Sequence, residues 1–159
     1  LLARQQPVAT DLRVVVTGLR LSATLERMGD LARHVAEVAR GRFPELALPE
    51  PARALFGQVI VAANAVAVDV VELLSGRDVA LAQRVLADDD TLDRLHQETF
   101  RLMLSPSADV SELSAQQLVD ITLLARYFER FGDHGVSVAN RIVFLVTGDT
   151  SIPQANLVS

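Results

Sequence analysis

Cysteine is absent from the 159-residue sequence, which excludes a disulfide framework and a thiolate metal site. Any metal ion would have to be held by oxygen and imidazole ligands, and the missing thiols fit a reducing, cytoplasmic environment. Aromatic residues are also scarce, at 4%, while half of the residues are hydrophobic and mostly Val, Ala and Leu. This composition favours closely packed helices over a strand-rich sandwich.

Clustered basic charge and long hydrophobic runs are also missing from the sequence. The net charge is −5, and no stretch has the basic clustering that phosphate neutralisation needs, so a nucleic-acid partner is not expected. The most apolar stretch, residues 59–74, is interrupted by Asn64 and Asp69. We predict a buried helix there because the stretch is too short to span a bilayer. Since the chain begins at Leu1, we expect it to start inside a longer protein.

An internal repeat is the strongest positive feature of the sequence. The segment ERMGD at residues 26–30 returns as ERFGD at residues 129–133, 103 positions later. Aligning residues 21–36 with residues 124–139 gives seven identities in sixteen positions. Self-similarity at a fixed offset indicates one structural unit used twice. Both copies retain two acids four residues apart, so the repeated feature can be chemical as well as architectural.

The pattern of breakers and caps predicts four helices, over residues 8–40, 52–74, 78–104 and 112–147. Pro51 suits the first turn of the second helix, and Asp78 is a good N-cap for the third. The segment 105–112 is predicted to be a loop, and Gly148 ends the fourth helix. Residues 149–159 show no periodicity, so we predict a tail.

Apolar stripes at helical spacing predict which face each long helix buries. In the first helix the stripe consists of Leu21, Leu25, Met28, Ala32, Val35 and Ala39. In the fourth helix it consists of Leu124, Phe128, Phe131, Gly135, Val138, Ile142 and Leu145. A second row in the first helix leads into Glu26 and Asp30, after Leu12, Val16, Leu19 and Ala23. Acids therefore interrupt an otherwise apolar row.

Three acidic pairs occur at a spacing of four residues: Glu26/Asp30, Asp89/Asp93 and Glu129/Asp133. Like charges at this spacing destabilise a helix by about 0.2–0.5 kcal/mol, and burying an unpaired carboxylate costs more. A bound cation would compensate them. If the third and fourth helices are neighbours, their two pairs converge as an all-oxygen cluster that suits hard or borderline ions. The alternative places the acids at a solvated edge, paired with Arg27, Arg84, Arg94 and Arg130.

Each of the three histidines lies near a motif aspartate, at His34, His96 and His134. A surface or packing role is favoured over metal ligation for each, because an imidazole ligand needs an oriented second partner that the sequence does not show. Gly29 and Gly132 recur in both copies of the repeat. We interpret them as points where a neighbouring helix approaches closely, since glycine costs about 1 kcal/mol inside a helix.

Three segments of the chain resemble the PhoU family of phosphate-transport regulators. They are the start LLARQQPVATDLRVVVTGLRLSATLERMGDLARHVAEVAR, the middle RVLADDDTLDRLHQETFRLML and the end LLARYFERFGDHGVSVANRIVFLVTGD. The resemblance covers nearly the whole chain and implies an all-α, cytoplasmic protein built from tandem antiparallel three-helix bundles. Some family members carry multinuclear iron or zinc clusters on these motifs, so the resemblance implies such a cofactor, and other divalent cations remain open.

Mapped on this resemblance, residues 1–41 hold the final helix of a first repeat and residues 50–148 form the second repeat, before the tail at 149–159. Two further helices of the first bundle would precede Leu1. Glu26 and Asp30 then lack their partner acids, whereas the second site is complete with Asp89, Asp93, Glu129 and Asp133. The apolar face of the first helix would need absent residues or another subunit to cover it.

Functionally, the resemblance implies a regulator and not an enzyme. Family members restrain the phosphate-starvation response by linking the ATPase subunit of a phosphate ABC transporter to a sensor histidine kinase. We therefore expect these two partners, a homo-oligomer, and membrane contact only through partners. One alternative is a carboxylate-bridged metal enzyme of the ferritin-like type, for which Asp93-x-x-His96 is the one loose match. The other is a helical interaction module that binds no metal.

Overall fold

The computed structural model describes residues 9–105 and 113–148, which form four helices and no strand within those ranges. Helix α1 is Ala9–Arg42, α2 is Glu50–Gly76, α3 is Val79–Met103 and α4 is Ala115–Thr147. The all-α prediction is confirmed, and each predicted helix lies within a few residues of an observed one. The predicted tail at 149–159 lies outside the described residues, as does most of the predicted loop at 105–112.

The helix ends follow from local hydrogen bonding. The Asp78 side chain accepts a hydrogen bond of 2.9 Å from the Ala80 backbone N–H, so the predicted N-cap of α3 is confirmed. At the start of α4, Ser114 and Gln117 form a reciprocal capping box, which places the first helical turn at Ala115 and not at residue 112. Gly148 ends α4 with a left-handed φ of 81°, as predicted, and its N–H donates to the Phe144 carbonyl.

Helices α2, α3 and α4 pack together around a shared apolar core. Its largest fully buried side chains include Phe56 and Leu73 from α2, Leu92 and Leu95 from α3, and Ile121 from α4. The stripe predicted for α4 is largely confirmed, because Leu124, Gly135, Val138 and Ile142 are buried and the remaining members are half-buried. One acid also belongs to this interior: Asp69 of α2 is buried and binds the Arg84 guanidinium of α3, with Nε 2.9 Å from Oδ2.

Helix α1 packs mainly along α4 and runs antiparallel to it. At one end the Arg42 guanidinium binds the buried carboxylate of Asp120, with Nη2 2.9 Å from Oδ1. Near the middle the rings of His34 and Tyr127 lie 5.2 Å apart. At the far end the Arg13 guanidinium carbon lies 5.9 Å from the Phe144 ring centroid. These contacts fix the register of the two helices along their whole shared length.

The buried face of α1 agrees with the prediction only in part. Of the predicted stripe, Met28 is buried and Leu21 and Val35 are half-buried against the core, whereas Leu25, Ala32 and Ala39 are exposed. Thr17, Thr24 and Leu31, which lie outside the stripe, are also buried. The second row is exposed as well, with Leu19 at 67%. The reason is geometric, because the single long neighbour α4 covers only one stripe of a helix surface.

The stretch 59–74 is too short to span a bilayer, as predicted, but helix α2 extends beyond it in both directions. By length and composition alone, α2 is long and apolar enough to cross a membrane, with a mean hydropathy of 1.9 over its most apolar window. A core helix of a soluble protein meets the same criterion, and α2 buries Phe56, Val66 and Leu73 in the shared core. Its outer face remains exposed, including Val61 at 71%.

The two repeated glycines lie in different surroundings. A Cβ on Gly132 would be 2.3 Å from Asp89 Oδ1 and 2.9 Å from Leu92 Cδ1, so α3 approaches α4 closely there, as predicted. At Gly29 the described part of the chain brings nothing within 4 Å of that position, so the same prediction was wrong for Gly29. The close packing of α3 against α4 therefore depends on Gly132 and not on Gly29.

Alanine substitution should change the free energy of unfolding in opposite directions at the two glycines. Gly29→Ala should raise the free energy of unfolding by about 1 kcal/mol, because alanine is the better helix former and finds open space. Gly132→Ala should lower it, because overpacking costs about 1–3 kcal/mol against buried Leu92 and outweighs the propensity gain. Urea unfolding followed by circular dichroism measures both changes, and equal stabilisation by the two variants would contradict the close approach at Gly132.

Candidate functional site

The seam between α3 and α4 holds four of the six predicted metal ligands. Asp89 and Asp93 lie on α3, and Glu129 and Asp133 lie on α4 on either side of Gly132. The missing side chain at Gly132 lets Asp89 approach the α4 backbone. Asp93, Asp133 and Glu129 all act electrostatically on Asp89, as does Asp90. The two acidic pairs therefore share one seam.

Asp89 is the most perturbed acid in this seam. Its Oδ1 atom is buried and has no hydrogen-bond partner within residues 9–105 and 113–148. Burial raises the pKa of Asp89 to about 7, and the negative charges of Asp93, Asp133, Asp90 and Glu129 add to the rise. Below about pH 7 this carboxyl group therefore holds a proton, unless another cation takes its place.

The other three acids of the seam differ in how their negative charge is balanced, by an arginine or by solvent. Glu129 is only 14% exposed at its side chain, and both of its oxygens accept hydrogen bonds from Arg126 Nη1, at 2.5 and 2.6 Å. Asp93 and Asp133 are exposed. As placed, no three acids or histidines in the described ranges converge closely enough to hold a metal ion. The bare oxygen of Asp89 and the surrounding charge nevertheless fit a cation.

Most arginine partners assigned from the sequence were wrong. Arg84 binds Asp69 and Glu72 instead of the seam, and Arg94 binds Glu98 with a distance of 2.8 Å. Arg130 makes no ion pair with any described residue. Arg27 does pair with a motif acid, since its Nη1 lies 3.5 Å from Asp30 Oδ2. The solvated-edge interpretation therefore fits Asp30 and the exposed acids Glu26, Asp93 and Asp133, but not Asp89.

The remaining predicted ligands, Glu26 and Asp30, lie on α1, which packs against α4 and not in the α3–α4 seam. Glu26 is exposed. Asp30 accepts from Arg33 at 3.3 Å in addition to its contact with Arg27. Within the described ranges no second helix adds an acid to this pair to complete a site.

Two of the histidines pack against aromatic rings. His34 lies 5.2 Å from the Tyr127 ring and His96 lies edge-on to Phe100 at 5.0 Å, so the packing role is confirmed for both. The Nδ1 atom of each is buried and finds no hydrogen-bond partner in the described chain. Burial lowers the pKa of His134, and so do the nearby charges of Arg130, Arg27 and Arg141, while Asp133 opposes them.

Sequence reasoning missed a basic surface along the joint between α1 and α4. Every basic residue of the chain is an arginine, and three of them recur every seven positions on α1, at Arg13, Arg20 and Arg27. His34 continues this spacing. We call this surface the basic seam, and it comprises Arg13, Arg20, Arg27 and His34 of α1 with Arg130, His134 and Arg141 of α4. The seven-residue spacing was the available signal, but no local cluster reveals it because the charges come from two helices.

Two pockets open along the basic seam. The larger has a volume of about 430 Å³ and is lined by Arg27, Asp30, Leu31, His34, Tyr127, Arg130 and His134. The smaller, of about 340 Å³, is lined by Arg20 and Arg141 among other residues. The larger pocket combines two guanidinium groups, two imidazoles and a phenol with one carboxylate. Such a set binds anions better than cations.

The raised pKa of Asp89 predicts a specific pH dependence of stability. Asp89 ordinarily titrates at 3.8, so between about pH 4 and pH 7 the folded protein keeps a proton that the unfolded chain has lost. The contribution of Asp89 to the free energy of unfolding therefore falls as the pH rises through that window. In chelator-treated protein, Asp89→Asn should raise the melting temperature more at pH 8 than at pH 4.5.

Asp90→Asn is the matched control, because Asp90 is the exposed neighbour on the same helix. It should leave most of the pH dependence intact. Equal stabilisation by Asp89→Asn at both pH values would show that Asp89 is not the group that titrates in this window.

Comparison with known proteins identifies the family. The sequence matches the PhoU domain over residues 1–39 and 61–142. It is 39% identical over 148 residues to the phosphate-specific transport system accessory protein PhoU homolog 2 of Mycobacterium tuberculosis, covering 93% of this chain and 68% of that protein.

Two further relatives extend the similarity. PhoU homolog 1 of Mycobacterium leprae is 39% identical over 158 residues, which is 99% of this chain and 69% of that protein. The PhoU homolog of Xylella fastidiosa is 32% identical over 154 residues, covering 96% of this chain and 63% of that protein. With the family match spanning most of the sequence and relatives this similar along nearly all of it, the chain belongs to the PhoU family.

Proposed function

We propose that this protein is a cytoplasmic accessory protein of a phosphate transport system that restrains the phosphate-starvation response. It would do so by linking the ATPase subunit of the transporter to a sensor histidine kinase. Family membership is the observation that carries this proposal, because the relatives are named as accessory proteins of phosphate-specific transport. Membrane contact would then run through the transporter.

Binding through helix surfaces is the mode of action that the fold supports. The long helix α1 presents exposed apolar side chains, among them Leu12, Val14 and Leu19, beside a row of arginines. Exposed apolar surface of this kind marks contact sites for other protein segments or for a second copy of the chain. A second copy of the chain in a homo-oligomer, or another part of the same protein, would cover this face.

The metal-enzyme alternative has less support. Its one sequence match was Asp93-x-x-His96, but Asp93 is exposed whereas the His96 ring packs against Phe100. The two side chains therefore lie in different surroundings, one in solvent and one against an aromatic ring. The names of the relatives, which describe accessory proteins, also favour a non-enzymatic role.

We also propose that Asp89, Asp93, Glu129 and Asp133 hold a metal ion, with iron or zinc as the expected metals. The unpartnered Oδ1 of Asp89 and the four acids that act on it support this proposal. When bound, the metal would supply positive charge that offsets carboxylate repulsion and ties α3 to α4. Glu26 and Asp30 would form a second site only with ligands from outside the described residues.

Metal binding should stabilise the folded protein by mass action. A metal at 100 times its dissociation constant adds about 2.7 kcal/mol to the free energy of unfolding. Adding zinc or ferrous iron to chelator-treated protein should therefore raise the melting temperature, and the double variant Asp93→Asn with Asp133→Asn should lose this gain. Calorimetric scans with and without metal measure it.

Asp78→Asn is the control for that experiment. Asp78 caps the far end of α3, and asparagine caps helices equally well, so the metal-dependent gain should persist in this variant. An undiminished gain in the double variant would place the metal elsewhere on the protein.

The regulatory role is tested in the host cell. Deleting the full gene should leave phosphate-scavenging genes switched on in phosphate-rich medium, and a plasmid copy should switch them off again. A transcriptional reporter measures this, and co-purification tests for the transporter ATPase and the kinase. Unchanged phosphate regulation together with retention of neither partner would overturn the proposed function.

A further inference from the structure

The two copies of the repeated motif meet at the larger pocket of the basic seam. Arg27 and Arg130 occupy equivalent positions in the repeat, 103 residues apart, and both line the same cavity of about 430 Å³. Arg27 reaches the pocket from α1 and Arg130 reaches it from α4, the antiparallel neighbour of α1. The pocket therefore brings together two guanidinium groups that the sequence places far apart.

The positive charge of this pocket is poorly compensated by the protein itself. Arg130 makes no ion pair within the described ranges, and Arg27 has only Asp30, at 3.5 Å with 70% of the arginine side chain exposed. Exposed pairs of this kind contribute little. Asp30 is in turn shared with Arg33. In a chain of net charge −5, this local excess of positive charge from Arg27 and Arg130 would attract an anionic ligand.

Three further hydrogen-bonding side chains complete the wall. His34, His134 and Tyr127 all line the pocket. Imidazole and phenol groups donate hydrogen bonds to oxyanions, and paired guanidinium groups bind phosphate oxygens in a bidentate manner. The combination matches a tetrahedral oxyanion in charge and in donors.

We propose that this pocket binds hydrogen phosphate, with Arg27 and Arg130 holding its oxygens and Asp30 accepting a hydrogen bond from its protonated oxygen. A carboxylate among cations favours a protonated oxyanion, since sulfate carries no proton to donate at neutral pH. The inference deepens the proposed function by giving the protein its own phosphate site. The volume exceeds the need of one ion, so the phosphate group can be free or part of a larger ligand such as ATP.

Titration calorimetry in chelator-containing buffer tests the site without any metal bridge. Inorganic phosphate should bind saturably, and sulfate at matched ionic strength should bind at least about tenfold more weakly. Arg27→Gln and Arg130→Gln should each weaken phosphate binding by about tenfold or more, because each removes a charge-assisted contact. Arg40→Gln is the matched control, since Arg40 is exposed on the same helix outside the pocket.

Asp30→Asn tests the selectivity directly. It should narrow the preference for phosphate over sulfate, because the acceptor for the phosphate proton is lost while the repulsion of sulfate is relieved. ATP binding that is tighter than phosphate binding, with the same arginine dependence, would support the shared phosphate chemistry and assign it to a larger ligand.

Absence of binding by both phosphate and ATP, or binding unaffected by Arg27→Gln and Arg130→Gln, would overturn this inference. A circular dichroism spectrum and melting curve of each variant exclude misfolding as the cause of any loss. Failure here is distinguishable from failure of the proposed function, because co-purification with the transporter ATPase and the kinase is measured on the wild-type protein without reference to this pocket.

Discussion

The packing of α4 against all three other helices sets the arrangement of charge in this protein. One stripe of α4 faces the core shared with α2, and neighbouring stripes face α3 and α1. Adjacent residues on a helix point in directions about 100° apart, so a short polar stretch can serve two partners at once. Glu129 and Asp133 belong to the seam with α3, whereas Arg130 and His134 belong to the seam with α1. Acidic and basic sites therefore lie on opposite flanks of the same two turns.

Local sequence signals sufficed for the helices and for the burial of α4. Asp78 and Gly148 are short-range signals, and the stripe from Leu124 to Leu145 follows the helical period of a helix surrounded by neighbours. The same reasoning succeeded only in part on α1, because period alone does not tell which apolar row has a neighbour to cover it. The row with Leu19 is exposed, while Thr17 and Thr24 are buried against α4.

The candidate sites divide in the same way. Spacing of four residues identified Asp89 and Asp93, but only the structure shows that the missing side chain at Gly132 lets the Oδ1 atom of Asp89 become buried. Ion pairs between helices were not predictable, since Arg84 binds Asp69 from another helix instead of an acid of its own row. The basic seam was missed for the same reason. Its charges are seven residues apart on α1 and are completed by α4, so no short stretch of sequence shows them as a cluster.

Both copies of the five-residue motif keep an arginine next to the first acid, and the two arginines line the same pocket. In the second copy the acids Glu129 and Asp133 serve the seam with α3, and Arg130 turns to the opposite copy of the motif. In the first copy Arg27 also turns to that joint, while Glu26 is exposed to solvent. The arginines thus mark where the two copies meet, and in the second copy the acids lie where its helix packs against α3.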